Sequence, residues 1–444
     1  MKVDQKRWNK FLVAGAALAL ATGMASTPPS AYAGGTIKAD EDKWISIGMG
    51  MRMSFNAREN GAQDGSYDQT FAIDNARIYI NGQIHKYIKF TFNTECFSCG
   101  GGGALFGPAV NAGPPAPIIG QAGAGIGLID AIGKFEINEK VNFWVGRTLL
   151  PFDRGELNGP FYHMTHYGFR TPFLISDHGN GYNTNANGGL FGRDNGVVFW
   201  GKFHPMGTHV LYAFMVSQGT TGGPNTGQTP TFTGRLNWNL LNDESDNPGY
   251  YTAGGYYGGY GDLIALAVGF NHQRNGAGSF AYKTDMNALV FDGLIEKLIP
   301  GNMGILTING EFKRFWGDQL YSYTTVIPAG APAGCGGQTG ATFGCGTGVF
   351  NGNSWTVYAL YLLPNKIGVG RFQPYGRFTR ISPINSAQRE EWEAGVNYVI
   401  DGFNARLAAF WMYGDINTKG FFNYAPGAAG NRADSFHVAL QLQY

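Results

Sequence analysis

From Trp44 onward the chain alternates apolar and polar positions with a period of two, in runs of about ten residues. The first run is the cleanest. Ile45, Ile47, Met49, Met51, Met53 and Phe55 form one set, and Ser46, Gly48, Gly50, Arg52, Ser54 and Asn56 form the other. Successive side chains of a strand point to opposite faces, so this run predicts a strand with one face for lipid and one for water. The pattern recurs. Ala76, Ile78 and Ile80 alternate with Asn75, Arg77, Tyr79 and Asn81, and Ile88, Phe90 and Phe92 with Lys89, Thr91 and Asn93. Phe232, Leu236, Trp238 and Leu240 alternate with Thr233, Arg235, Asn237 and Asn239. Trp392, Ala394, Val396, Tyr398 and Ile400 alternate with Glu391, Glu393, Gly395 and Asn397, and Phe403, Ala405, Leu407, Ala409, Trp411 and Tyr413 make another apolar face. Roughly 16 such segments fit between Trp44 and Tyr444, an even number, as single-chain bacterial barrels have. The expected fold is all-β, a transmembrane antiparallel β-barrel.

The connections point the same way. Short turns at 138–140, 204–207 and 400–402 alternate with long Gly/Pro-rich loops at 96–126, 150–193, 217–230, 317–353 and 414–433. Barrels have short periplasmic turns and longer external loops, and with the N-terminus inside all five long loops fall outside. The stretch 241–261 breaks this rule, being long yet on the periplasmic side. The last run, Phe436, Val438, Leu440, Leu442 and Tyr444, alternates to an aromatic final residue. It is expected to close the barrel by pairing with the first strand, which leaves no free edge.

Composition narrows the class. Glycine is 69 of 444 residues, aromatics are 14% and charged residues 14%, the last well below the usual ~25%. Mean hydropathy is nonetheless −0.16, which excludes a helical membrane protein. Lys2, Lys6, Arg7 and Lys10 precede an apolar stretch at 11–21, and Ala31-Tyr32-Ala33 fits a small-x-small cleavage site. Residues 1–33 therefore read as a secretory signal peptide and 34–444 as the barrel. The signal segment carries +3 (four basic residues and Asp4) of a total of +1, leaving −2 for the mature chain, so no nucleic-acid partner is expected.

The densest chemistry lies in the loop 150–193, which holds Asp153, Arg154, Glu156, His163, His166, Arg170, Asp177 and His178. Porin selectivity comes from charges close to a constriction. If this loop folds inward, the constriction is expected at Arg147, Asp153, Arg154, Glu156, Arg170, Arg193 and Asp194. Arg52, Arg77, Lys89, Arg235, Lys313 and Arg377 are expected to line the pore, with Arg406 near them. Such a row favours anions, but only weakly, because Asp74, Asp130, Glu311, Glu391 and Glu393 lie in comparable strands.

Other chemistry is weaker. Nothing fixes a metal-binding geometry for His163, His166, Asp177 and His178, and no Ser sits in a nucleophile motif. No metal, cofactor or catalytic residue is expected, and the chain reads as no enzyme. Cys96-Phe97-Ser98-Cys99 is followed by Gly100 rather than the His of a haem-attachment motif. In an oxidising compartment, strand parity puts all four cysteines in external loops, which favours disulfides Cys96–Cys99 and Cys335–Cys345. The function expected is a passive, water-filled channel for small anions or polar solutes, embedded in outer-membrane lipid of a bacterium. A structural or adhesive barrel and an enzymatic barrel are the alternatives.

Several segments also resemble one family. Ile47-Gly48-Met49-Gly50-Met51-Arg52 is similar to the opening barrel strand of the phosphate-selective porin O and P family. Asn75-Ala76-Arg77-Ile78-Tyr79-Ile80-Asn81-Gly82, followed by 87–93, resembles its second hairpin. Phe143-Trp144-Val145-Gly146-Arg147 with Pro151-Phe152 looks like its strand leading into an inward-folded third loop, and Gly192-Arg193-Asp194-Asn195-Gly196-Val197 like the strand start after that loop. The likeness covers 44 to about 203. It implies a 16-stranded, anion-preferring porin that is usually a homotrimer. One departure stands out: the phosphate-selective members carry many basic residues in the fifth external loop, whereas 271–281 here holds only His272 and Arg274.

Overall fold

A computed structural model describes residues 34–444 except 41, 63, 98–124, 175–191, 220–224, 245–251, 279–282, 318–349, 385 and 422–426. The alternating runs become strands β2 (Trp44–Arg58), β3 (Asp68–His85), β4 (Ile88–Phe97), β5 (Gly125–Glu136), β6 (Asn142–Leu149), β7 (Arg193–Phe203), β8 (His209–Ser217) and β9 (Thr231–Asn239). They continue as β10 (Leu263–Gly278), β11 (Lys283–Ile299), β12 (Gly304–Trp316), β13 (Gly352–Leu362), β14 (Arg371–Pro383), β15 (Arg389–Asp401), β16 (Ala405–Gly414) and β17 (Ala433–Gln443). Each pairs antiparallel with the next, and β17 pairs with β2, so these 16 strands close a ring. A short extra strand, β1 (Gly35–Lys38), pairs with Trp44–Ile47 of β2. It continues the row in which β17 ends, where Met49 and Tyr444 exchange both backbone hydrogen bonds at 2.8 Å.

The predicted faces hold. On β2, Ile47 and Met49 are 48% and 65% exposed, while Ser46 and Arg52 are 0% and 1% exposed. The outward set forms the apolar band that a bilayer requires, and a closed ring satisfies every ladder hydrogen bond without water. No described helix is long and apolar enough to cross a membrane; the chain crosses with strands and is a protein of the bacterial outer membrane.

Among the described residues the register shifts at five places in the barrel, and one of them shapes the site. The register of β2 against β3 shifts between Arg52 and Met53, so that Asn75 faces Arg52 and Ile73 faces Met53. The extra residue of this bulge is Asp74, and both Asp74 and Asn75 are buried on the inner side. A bulge re-aims a side chain in this way, and here it supplies two adjacent polar groups to the lumen.

The strand ends joined by the five long loops lie at one end of the ring. The connection 240–262 lies at the other, with the short turns, as its strand parity predicted. The fifth external loop is corrected: 271–278 belongs to β10, and only 279–282 joins β10 to β11. The signal segment with its cleavage site, Asp177, His178, and the cysteines Cys99, Cys335 and Cys345 of the expected disulfides fall outside the described residues. No free cysteine occurs among the described residues.

Candidate functional site

The third external loop turns into the barrel immediately after β6. Asp153 caps a one-turn helix, α1 (Arg154–Leu157), by accepting from the Glu156 amide at 2.7 Å. Asp is among the best residues for this position because its carboxylate satisfies an otherwise orphaned amide. The cap aims Arg154, the first helical residue, at the facing wall. Its guanidinium bonds Asp292 of β11 (Nε to Oδ1, 3.2 Å) and Glu244 (Nη2 to Oε1, 2.7 Å), and also donates to Thr252 and to the Ala253 carbonyl. Asp292 is shared with Arg235 of β9 (2.6 Å). Lys313 of β12 bridges Asp153 (3.0 Å) and Glu311 (3.1 Å) and donates to the Pro172 carbonyl.

Farther along, the loop is held differently. Residues 161–169 present backbone carbonyls, and wall side chains donate to them. Gln441 bonds Phe161 O (2.9 Å), Arg406 bonds His163 O and Met164 O (both 2.9 Å), and Asn397 also reaches Met164 O (2.9 Å). Arg52 bonds His166 O, and Arg377 bonds Phe169 O at 3.1 Å. The chain folds back on itself at Gly168. Its φ is +67°, and a Cβ there would stand 2.8 Å from the His163 ring, so conformation and space both demand glycine. Arg170, itself in the left-handed region at φ 62°, pairs with Glu391 of β15 at 3.1 Å. β15 stands eight strands on from β7 in the chain order of the 16-strand ring, diametrically opposite, so the loop crosses the bore.

His166 sits on the bulge of β3, its Nε2 2.9 Å from Asp74 Oδ2. Burial, with Arg52 close by, pulls the imidazole down to about 4 in spite of Asp74. Burial and Arg52 likewise pull His163 down to about 3, so both rings are neutral at pH 7. Glu156, buried beside Asp153, has its carboxyl raised well above the usual range. Between the loop and the wall lies a cleft of about 740 Å³, counting its open mouth, lined among others by Arg52, Asn75, Glu156, His163, Tyr167 and Lys313.

The expected constriction residues thus divide. Asp153, Arg154, Glu156 and Arg170 come together in the bore with Lys313, Arg235 and Arg377. Arg193 instead pairs with Asp130 of β5 at 3.0 Å, and Arg147 and Asp194 share that corner on β6 and β7. Lys89 pairs with Glu136 near the short-turn end, at 2.5 Å. Five of the six expected pore-lining cations are salt-bridged: Arg77 to Glu95 (2.5 Å), Lys89, Arg235, Lys313, and Arg377 to Glu391 and Glu393. Arg52 bonds the Asn75 amide oxygen (2.6 Å) and a carbonyl, with no carboxylate at bonding distance among the described residues. Sequence reasoning missed Glu244 and Asp292 as partners. Inward parity on β11 marks Asp292, since Thr284, Met286, Ala288, Val290 and Asp292 share one buried face, but no local signal marks Glu244. No group of three or more metal-binding side chains occurs among the described residues.

Comparison with known proteins gives a fold. No family model matches the chain, and no curated relative does. Among solved structures, an anion-selective porin from Comamonas acidovorans is similar at 13% identity and a TM-score of 0.50, over 90% of this chain and 99% of that one. OmpT of Vibrio cholerae is similar at 11% identity and a TM-score of 0.49, over 92% and 100%. OmpF of Salmonella typhi is similar at 10% identity and a TM-score of 0.48, over 92% and 100%. The chain has the fold of bacterial outer-membrane porins. One expectation is corrected. The likeness to solved structures shows a fold alone, and a shared barrel does not decide between channel and catalyst. The exclusion of an enzyme is therefore withdrawn.

Proposed function

We propose that the chain is a narrow outer-membrane channel that passes small polar or ionic solutes through the cleft between the third external loop and the barrel wall. The observation that carries this reading is the course of residues 153–171 across the inside of a closed barrel, bonded to both sides of it. An inward loop lined with fixed charges is how a large barrel is narrowed to a selective pore. The salt bridges of Arg77, Arg235, Lys313 and Arg377 neutralise most of the expected cationic row. Arg52 is left to give the lumen a slight preference for anions. The resemblance to the O and P family adds a homotrimer to the proposal. A cleaved signal at 33 and loop disulfides Cys96–Cys99 and Cys335–Cys345 complete it.

Reconstitution of the purified protein in planar bilayers tests the reading. Discrete conductance steps are expected, and Arg52→Gln should move the reversal potential in a salt gradient toward cation preference. A folded barrel that shows no steps overturns the channel. Steps with an unmoved reversal potential overturn the role of Arg52 alone.

A further inference from the structure

We propose that residues 252–257, between β9 and β10, form a second constriction of the lumen, built at the periplasmic mouth and locked to the third external loop through Arg154. The proposal rests on the channel reading and adds to it an element of the opposite end of the barrel.

Four observations lead to it. The segment belongs to the long connection at the short-turn end, yet Thr252 and Ala253 are buried inside the ring. Its backbone bonds inner-wall groups of strands it does not adjoin. Gly254 O accepts from Asn309 of β12 (3.1 Å) and from the Tyr358 hydroxyl of β13 (2.9 Å), while Tyr256 N donates to Glu296 of β11 (2.9 Å). The Tyr257 hydroxyl accepts from Arg406 of β16 at 3.4 Å, and its ring meets Phe403 with centroids 5.0 Å apart. β16 stands seven strands round the ring from β9, one short of diametrically opposite, so the segment spans the mouth. Finally, it touches the third loop directly. Gly254 N donates to Tyr162 O (2.9 Å), and Arg154 bonds Ala253 O (2.9 Å), Thr252 and Glu244.

Close approach explains the glycine. A Cβ on Gly254 would lie 2.8 Å from the Tyr358 hydroxyl and 3.0 Å from Tyr162 O. Two elements from opposite ends of the barrel therefore meet inside the lumen with no room for a side chain at Gly254. A solute that has passed the cleft beside the third loop meets this second bar before it reaches the periplasm. Tyr257 is the side chain that closes its far end. It touches Phe403 and Arg406, the residue that also holds His163 O and Met164 O, and it does not bond the third loop's anchors at Asp292, Glu391 and Asp74.

The test is Tyr257→Ala, measured in planar bilayers with the full-length mature protein and with polyethylene glycols of graded size added to one side at a time. Heat-modifiable gel mobility reports whether the variant barrel has folded. If Tyr257→Ala does not fold, Tyr257→Leu keeps the apolar bulk against Phe403 and tests the loss of the ring. Expected is a conductance raised roughly twofold, with larger polymers entering from the periplasmic side and the cut-off from the external side unchanged. A folded variant with the conductance and both cut-offs of the native protein overturns the proposal. So does an equal shift of both cut-offs, which assigns the change to the third loop. If neither native protein nor variants conduct, the channel reading itself falls, and the second constriction with it.

Discussion

The two halves of the third external loop are held in the same barrel by different chemistry. At its start, Asp153 and Arg154 meet the wall as ions: Lys313, Asp292 and Glu244 are their partners. From 161 to 169 the loop meets the wall through carbonyl oxygens, and the cations all belong to the wall. The difference matters energetically. Removing one member of a buried ion pair strands its partner as an uncompensated charge, whereas removing a donor to a carbonyl leaves only an unmet acceptor. It matters for tolerance as well. Every residue offers a carbonyl, so the second half can change side chains, Gly168, His166 and Tyr167 excepted, more freely than the wall residues Arg52, Arg377, Asn397, Arg406 and Gln441.

The comparison can be broken most sharply at Arg154. Arg154→Ala leaves Glu244 without its cation and Asp292 with Arg235 alone, and should loosen the loop by about 3–5 kcal/mol. The checks are a lower temperature for loss of heat-modifiability, noisier single-channel current and new protease cleavage in the loop. If the variant matches the native protein in all three, the ion-paired half does not anchor the loop.

Acidification tests the second half. His166 is buried against Asp74, Arg52, Tyr167 and Phe410, with His437 and Arg406 acting on it from β17 and β16. Its value is about 4 in place against an ordinary 6.5, so the released loop binds the proton more tightly than the seated one. The seating is therefore complete above pH 6.5 and weakens as pH falls toward 4, by up to about 3 kcal/mol. Current noise should grow over that window and grow less steeply in His166→Phe, where His163 still titrates. Identical pH profiles would remove His166 from the account.

Arg406→Met should cost less than Arg154→Ala, about 1.5–3 kcal/mol, because its partners are the carbonyls of His163 and Met164 rather than a carboxylate. The smallest effect is expected for Met164→Leu, which keeps the carbonyl and nearly the volume and should cost under about 1.5 kcal/mol. Thermal unfolding of both variants orders the pair, and a larger loss for Met164→Leu would mean that packing, not the carbonyl bonds, seats this half.

Much of this was open to reading in advance. The lipid face of β2, the burial of Arg235 on β9 and of Glu391 and Glu393 on β15, and the charge density of the third loop follow from period-two alternation. That signal is local, because a strand's geometry assigns each side chain a face from its neighbours alone. Lys89, Arg147, Arg193 and Asp194 share the inward parity or flank the loop but stand away from the bore's centre. Parity gives a face and not a height or a partner. The bulge at Asp74 shows the limit within a single strand, since one extra residue puts two adjacent side chains, Asp74 and Asn75, on the same face.

The sequence by itself determined a closed outer-membrane barrel, its lipid band and the loop most able to narrow it. Only the tertiary structure decided which charges neutralise each other and where the chain crosses the lumen. Arg154 finds Glu244 at a separation of 90 residues and Arg170 finds Glu391 at 221. Such pairings exist only once the ring has closed and brought β7 and β15, or β9 and β16, to face each other across the bore. A carbonyl that accepts from Arg406 leaves no mark on the side chain that carries it, so no pattern along the chain could announce it.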